Sequence, residues 1–141
     1  MIKQITVFLD NEKGRLLALT RCLGDAGVNM HALTIAETSD YGLVRIITRD
    51  TDAAMEALQA ADFRATVSKV AAIQVSNAAG GLASLLAALE DLVLNIEYGY
   101  CFSNAGETAV DVFKIRDAAK AAEATFKLEE ASFKVLRQED L

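Results

Sequence analysis

The pattern of apolar and polar residues alternates between a period of two and a period of three to four. The stretch IKQITVFL is rich in apolar and β-branched residues and predicts a strand. After it, Leu16, Leu19, Leu23 and Ala26 are spaced by three, four and three residues, as on one face of a helix. Gly27 follows this face and predicts the end of the helix.

Two further runs, NMHALTIAET and LVRIITRD, are strand-like, and SDYG between them predicts a hairpin turn. The segment TDAAMEALQAA predicts a second helix with Thr51 or Asp52 as its N-cap. RATVSKV then predicts a closing strand. The first half of the chain therefore has the order β-α-β-β-α-β.

The same pattern returns 66 residues later without a gap, matching Asn11 with Asn77, Gly14 with Gly80, Leu16 with Leu82, Leu19 with Leu85, Leu23 with Leu89, Asn29 with Asn95, Val44 with Val110 and Ile46 with Val112. A long internal period indicates a duplicated structural unit. The second copy has an Ala-rich helix from about Asp117 and a closing strand in SFKVLR; its first helix carries Leu82, Leu85, Leu86, Leu89 and Leu92. We predict two domains, 1–70 and 71–141, of α+β class. Each is a ferredoxin-like βαββαβ unit with an antiparallel sheet and both helices on one face.

Composition excludes several classes of function. The chain has 141 residues, a net charge of -6 and a sequence pI near 4.8, and its acid excess is concentrated in the second half. Acidity opposes binding to nucleic acid phosphates and to anionic membrane surfaces. No apolar run approaches the roughly 20 residues of a membrane helix, and the N-terminal stretch becomes charged too early for a secretory signal. We expect a cytoplasmic protein that binds neither nucleic acid nor membrane.

Two loops with matching Asn, Gly and Leu residues, DNEKGRL and SNAAGGL, each connect a predicted strand to the start of a helix. A helix start exposes unpaired N–H groups and attracts a carboxylate, while Gly allows a ligand to approach the backbone closely. An Asn amide can bind both the carboxylate and the ammonium of a zwitterion. Turn chemistry also explains each of these residues singly. The candidate ligand contacts are Asp10, Asn11, Gly14, Arg15, Leu16, Asn29, Asn77, Gly80, Gly81, Leu82 and Asn95.

The segment FLDNEKGRLLALTRCLGDAGVNMHAL resembles the opening of an ACT domain, with its loop Gly, amphipathic helix and Asn at the entry to the second strand. The three residues that lead into the second strand are Val28-Asn29-Met30 in the first unit and Leu94-Asn95-Ile96 in the second. The resemblance covers essentially the whole chain as two tandem ACT domains. It implies allosteric or sensory binding of an amino acid at interfaces between ACT domains, through the two loops and the two Asn residues.

The loops differ in chemistry, and this affects which of them we expect to bind. The first is charged, and its Asp10 offers a partner for an ammonium group, whereas the second is small and neutral. If only one type of loop binds, we favour the second, because Gly80 and Gly81 would permit the closest backbone contact. The Pro that often precedes the Gly in the family is replaced here by Lys13 and Ala79.

Tyr98, Tyr100 and Phe102 alternate along one predicted strand. Aromatic side chains in such a row can pack in a core or a subunit interface, line a pocket for a ligand side chain, or stack on RNA bases. The acidic charge of the second half disfavours RNA binding. His31 is the only histidine and has no neighbouring cluster of metal ligands in sequence. We expect no cofactor, no metal and no catalytic residue.

Two functional hypotheses follow. The first is a non-catalytic homodimeric sensor that binds a free amino acid and signals to a partner enzyme or regulator. The second is a regulatory small subunit that packs on a separate catalytic enzyme and has degenerate ligand loops. An enzymatic alternative, acylphosphatase, shares the topology and pairs a loop Arg with an Asn, as Arg15 and Asn29 would; Gly81 replaces that Arg in the second unit.

Overall fold

The computed structural model describes residues 1–37, 41–103 and 106–141. Its elements are β1 (Ile2–Asp10), α1 (Arg15–Asp25), β2 (Met30–Glu37), β3 (Tyr41–Thr48), α2 (Thr51–Ala60), β4 (Arg64–Ser76), α3 (Gly81–Ala87), β5 (Ile96–Ser103), β6 (Thr108–Ile115), α4 (Ala118–Glu130), β7 (Lys134–Val135) and a 3-10 turn at Gln138–Asp140. The predicted fold class, two ferredoxin-like units, is confirmed. The predicted SDYG turn lies partly outside the described residues.

The chain separates into two compact units, one of Lys3–Ser68 with Leu141 and the other of Met1–Ile2 with Lys69–Asp140. The passage from one to the other falls inside β4, a strand of 13 residues. We expected two strands here, one closing the first unit and one opening the second. The segment RATVSKVAAIQVS contains no Gly, Pro, Asn or Asp to end a strand, so the extended conformation continues through it.

In the first unit the sheet has the order β2-β3-β1, with β4 beside β1. The β1–β3 register places Ile5 opposite Ile46 and Val7 opposite Val44. These side chains share one sheet face, because strand side chains alternate. The Leu19 side chain of α1 is fully buried in the same core cluster, which also includes Leu9, Leu23, Val28, Ala54, Leu58 and Phe63. The helices therefore cover one sheet face, as predicted.

The second unit has the corresponding order β5-β6-β4-β7. Its first helix is shorter than the Leu pattern predicts, since α3 ends at Ala87. The following residues continue in tighter turns, with Leu89 N donating to Leu86 O at 3.1 Å and Leu92 N donating to Leu89 O at 3.0 Å. Leu89 nevertheless remains buried in the core of this unit. The Leu pattern therefore includes buried Leu85 and Leu89 but also exposed Leu82 and Leu86, and the predicted helical geometry at Leu89 and Leu92 is wrong.

The starts of the second helices agree only in part with prediction. The helix α4 begins near Asp117 as expected, and Asp117 is its N-cap, accepting hydrogen bonds from Ala119 N at 2.8 Å and Lys120 N at 3.1 Å. For α2 the N-cap is Asp50, so the prediction of Thr51 or Asp52 is wrong. Thr51 is instead the first helical residue; it is buried, and its hydroxyl donates to the Thr48 carbonyl at 3.4 Å.

The two hairpins differ by one residue, and this moves a carboxylate into the core. Val7 pairs with Val44 in the first unit, but the corresponding Ile73 pairs with Asp111 rather than Val110. The expected matches of Val44 with Val110 and Ile46 with Val112 are therefore wrong. The connection between β5 and β6 is one residue longer than that between β2 and β3, which moves the β6 residues that match Val44 and Ile46 at the 66-residue spacing to the other sheet face.

Asp111 is only 7% exposed, and its Oδ2 atom has no hydrogen-bond partner among the described residues. Removal from water disfavours the charged form, so burial raises the pKa of this carboxyl. The folded protein therefore holds a proton at Asp111 at pH values where the unfolded chain has released it. Because of this difference, the free energy of unfolding falls as pH rises through the interval above the ordinary Asp pKa of 3.8.

We predict that Asp111→Val, which restores the side chain found at Val44, raises the free energy of unfolding at neutral pH by about 1–3 kcal/mol, the cost of a buried polar group without a partner. Thermal unfolding should shift upward by several degrees. Asp111→Asn should remove the fall in stability between mildly acidic and neutral pH. Asp25→Asn, at an exposed position, is the control. A lower melting temperature for Asp111→Val would show that the carboxylate stabilises the fold.

Candidate functional site

The first loop turns the chain from β1 into α1 through a left-handed residue. Gly14 has a φ of 88° and is the N-cap of α1, and a Cβ there would meet nothing within 4 Å. The turn is closed by Glu12 N donating to Asp10 O at 2.8 Å and Arg15 N donating to Glu12 O at 3.3 Å. Gly14 is thus required for backbone conformation, and the space above it is open.

The second loop repeats this geometry at Gly80, whose φ is 91° and whose Cβ position is also open. Gly81 is different, because a Cβ on it would lie 2.2 Å from the Ser76 carbonyl oxygen. The missing side chain therefore makes room for the protein's own backbone rather than for a ligand. We favoured the second loop because Gly80 and Gly81 would permit close contact between a ligand and the backbone, and this reason does not hold at Gly81. Leu82 follows in α3 and is 45% exposed.

Asn77 in the second loop has a structural role. Its Nδ2 donates to the Gly106 carbonyl at 3.0 Å, and its backbone N donates to the Glu107 carbonyl at 2.8 Å. These bonds tie the loop to the segment that enters β6. The matching Asn11 is exposed, and its side chain makes no such bond among the described residues.

Asn29 and Asn95 lie at the far end of their units from the loops. Met30, next to Asn29, pairs with Thr48, whereas Asp10 pairs with Tyr41 at the opposite end of β3. One small ligand on a single unit therefore cannot contact both the loop and the Asn. The same separation keeps Arg15 from Asn29, so the residue pair of the acylphosphatase alternative does not form within the unit.

Two cavities flank the first loop. The smaller, of about 160 Å³, lies between the loop and the strands, and it is lined by Leu9, Asp10, Asn11, Glu12, Arg15, Leu16, Ile35, Gly42 and Val44. Leu16 and Ile35 are 40% and 54% exposed. This cavity contains all the candidates of the first loop except Gly14.

The larger cavity, of about 310 Å³, shares Leu9, Asp10 and Arg15 with the smaller one, and its other lining residues are Phe8, Tyr41, Asp62 and Arg64. Four of these residues, Phe8, Tyr41, Asp62 and Arg64, were not predicted from the sequence. They come from an end of β1, β3 and β4 and from the turn after α2. That turn brings Asp62 to a φ of 59°, while Phe63 N donates to Leu58 O at 2.9 Å, a helix C-cap geometry.

Both arginines of the larger cavity rest on aromatic rings. The Arg15 guanidinium carbon lies 4.7 Å from the centroid of Phe63, and that of Arg64 lies 4.9 Å from the centroid of Phe8. Phe63 is buried, and Phe8 also packs against Tyr41, with 5.9 Å between their ring centroids. These cation–π contacts hold both positive charges at the cavity, and neither charge is paired with a carboxylate of the described residues.

The second unit has a groove of about 760 Å³ in the equivalent place, lined by Gln74, Val75, Ser76, Asn77, Ala78, Glu107, Thr108, Ser132, Phe133 and Lys134. Ser132, with a φ of 67°, matches Asp62, and Lys134 matches Arg64. Its charge pattern is different. Lys134 Nζ lies 3.8 Å from Asp140 Oδ1 in an ion pair, and the second unit has Gly81 at the position of Arg15.

The remaining candidates stay outside these cavities. Tyr98, Tyr100 and Phe102 lie opposite Lys114, Val112 and Val110 on one face of β5, as predicted, and all three are half-buried. The described residues contain no group of three or more His, Cys, Asp or Glu side chains able to hold a metal, and His31 joins none. None of the described helices combines the length and apolar character needed to cross a membrane.

Comparison with known proteins identifies the family. A family model described as an ACT domain pair matches residues 1–140, and the chain belongs to this family. The crystal structure of protein BT0572 from Bacteroides thetaiotaomicron is similar, with 34% identity, a TM-score of 0.89, and coverage of 99% of this chain and 94% of that one. Comparison with curated proteins returned no match.

More distant structures share the fold. The regulatory subunit of aspartate kinase from Thermus thermophilus has 16% identity, a TM-score of 0.66, and coverage of 92% of this chain and 91% of that one. The corresponding subunit from Thermus flavus has 17% identity and a TM-score of 0.61, with 92% of each chain covered. At these identities the likeness concerns the fold alone.

We predict that Gly14→Ala and Gly80→Ala each lower the free energy of unfolding by about 1 kcal/mol or more, because Ala is strained at positive φ. The control is Gly24→Ala, within α1, where φ is ordinary and the Cβ position is open. That substitution should stabilise the protein by roughly 0.5–1 kcal/mol. Chemical denaturation of the three variants measures the difference. Equal effects at Gly14 and Gly24 would contradict the conformational role of Gly14.

Proposed function

We propose that this ACT domain pair is a non-catalytic regulator that binds a free amino acid and signals its level to a partner enzyme of amino-acid metabolism in the cytoplasm. The observation that carries the proposal is family membership over residues 1–140, joined to a loop with an open left-handed Gly beside two cavities. ACT domains are regulatory rather than catalytic. The binding residues we propose are those of the two loops and, as separate contacts at the opposite end of each unit, Asn29 and Asn95.

The exposed start of α1 supports this proposal chemically. Its first N–H groups and the positive end of the helix dipole favour an anion such as a carboxylate. The neighbouring Asp10 carboxylate is exposed and favours an ammonium group. A free amino acid carries both charges. We further propose that the protein acts as a homodimer whose ligand favours one arrangement of the ACT domains over another, since a ligand shifts an equilibrium only by binding two states unequally.

A second proposal is a regulatory small subunit that packs on a separate catalytic chain. The aspartate kinase structures support it, because two proteins of this fold are named as regulatory subunits of an enzyme. The loss of an Arg at Gly81 and the use of Asn77 in a structural bond are also consistent with a second loop that no longer binds a ligand. Under this proposal the protein would co-purify with a larger enzyme and would not respond to amino acids.

We predict that thermal unfolding scans of the full chain with each standard amino acid at millimolar concentration will show stabilisation by one or a few of them. A ligand at 100 times its dissociation constant adds about 2.7 kcal/mol, a shift of several degrees for a chain of this size. The corresponding D-amino acids at equal ionic strength serve as the control. If no amino acid changes the melting temperature, the sensor proposal fails and the small-subunit proposal is favoured.

A further inference from the structure

We propose that Arg15 and Arg64 form a carboxylate clamp in the larger cavity of the first unit, and that this clamp holds the α-carboxylate of the amino acid while Asp10 and Asp62 face its ammonium group. The inference rests on the proposed function and assigns its ligand to one cavity. Of these four residues, Asp62 and Arg64 belong to neither loop.

The first support is the way in which the guanidinium groups are held. A guanidinium that lies over an aromatic ring uses its face for the contact, and its N–H donors point outward in the plane. Arg15 and Arg64 are held in this way over Phe63 and Phe8. Their side chains are therefore positioned in advance, while the donors that bind a carboxylate in a two-pronged manner stay available.

The second support is an unsatisfied donor. Arg15 Nε is buried and has no hydrogen-bond partner in the described part of the chain. A buried donor on a charged group is costly when it has no acceptor. Nε is also one of the two nitrogens that a carboxylate can engage side-on. Because Nε has almost no accessible surface in the free chain, a carboxylate would satisfy this atom only after a shift of the Arg15 side chain toward the cavity.

The third support is that opposite charges line one cavity without meeting. Asp10 and Asp62 are both exposed and share the cavity with the two arginines. Within 1–37, 41–103 and 106–141, none of these four charged groups forms an ion pair or a side-chain hydrogen bond. Two positive and two negative groups held apart are complementary to a molecule that carries both charges. The volume of about 310 Å³ suits a small ligand.

The second unit lacks this arrangement. The position of Arg15 is occupied by Gly81, and the Lys134 ammonium is already paired with Asp140. The position of Asp62 is occupied by the neutral Ser132. The duplicated fold therefore carries the clamp in the first unit only, and we expect one such site per chain.

The test follows the arginine side chains directly by NMR. The Nε–Hε signals of the ¹⁵N-labelled full chain are recorded during titration with acetate, glycine and methylammonium, with sodium chloride as the ionic-strength control. Arg15→Gln and Arg64→Gln assign the two signals by their loss. Acetate and glycine should shift both signals, while Arg21, exposed on α1, should not respond. Methylammonium should leave them unchanged.

Affinity measurements on variants complete the test, using each amino acid that stabilises the wild type. Arg15→Gln and Arg64→Gln should each raise its dissociation constant about tenfold or more, as expected for the loss of a charged hydrogen bond. Arg21→Gln removes the same charge from an exposed helical site and should leave the constant unchanged. Arg64→Lys keeps the positive charge but lacks the planar guanidinium with its paired N–H donors. Its affinity should therefore lie between those of Arg64→Gln and the wild type.

The outcomes separate the clamp from the proposed function. If acetate shifts neither arginine signal beyond the chloride control, the clamp is overturned. If amino acids bind and both Gln variants keep wild-type affinity, the clamp is overturned while the proposed function stands. If acetate shifts both signals but no amino acid stabilises the protein, the carboxylate site is supported and the proposed function fails. Melting temperatures of the free variants verify that each one folds.

Discussion

Burial of one sheet face beneath a helix is the interaction on which each unit depends. Strand side chains alternate between faces, so Ile5 and Val7 point to the same side, and the Leu spacing of α1 covers them with Leu19 and Leu23. A helix that packs in this way has to begin where the strand ends, after an abrupt change in chain direction. The left-handed Gly14 makes that change without strain. The loop next to the cavities is thus a direct consequence of core packing.

The duplication preserved this packing and allowed the polar chemistry to diverge. Leu85 occupies the place of Leu19, and Gly80 has nearly the backbone angles of Gly14. At the cavities, by contrast, Arg15 is replaced by Gly81 and Arg64 by Lys134. Residues that hold the fold are constrained by geometry in both units. Residues that line an open cavity are not constrained in this way, so they can differ between the units without loss of the fold.

The sequence predicted the order of strands and helices within each unit, the core-facing Leu spacing of α1 and the two loops between a strand and a helix, because each depends on a local period or on turn residues. The left-handed conformation of Gly14 and Gly80 was not predicted. It failed where a single residue changes the register. An extra residue in a hairpin cannot be located from periodicity, and it decides whether Val110 or Asp111 faces the core. The end of α3 was also missed, since Leu89 is buried equally well from a turn.

The clamp residues were missed for a different reason. Arg64 follows Arg15 by almost fifty positions, and nothing local connects them. A signal was nevertheless present in the repeat, where Phe63-Arg64 in the first unit corresponds to Phe133-Lys134 in the second, just after the helix end in both. An aromatic residue followed by a basic one, at the same place in two copies, identifies a position that the fold brings back to the loop.

The position of the cavity bears on how binding could act on the fold. Its walls come from the end of β1, the start of α1, the start of β3 and the turn after α2, which are ends of elements rather than their centres. Ends of elements are the least stable parts of a fold, because fewer buried contacts hold them. A ligand that bridges Arg15 and Arg64 would link the starts of α1 and β4. Because binding would order these segments, the free energy of binding would also stabilise the helix ends that they adjoin. A signal of this kind requires no catalytic group, only two arrangements of the helix ends with unequal affinity for the ligand.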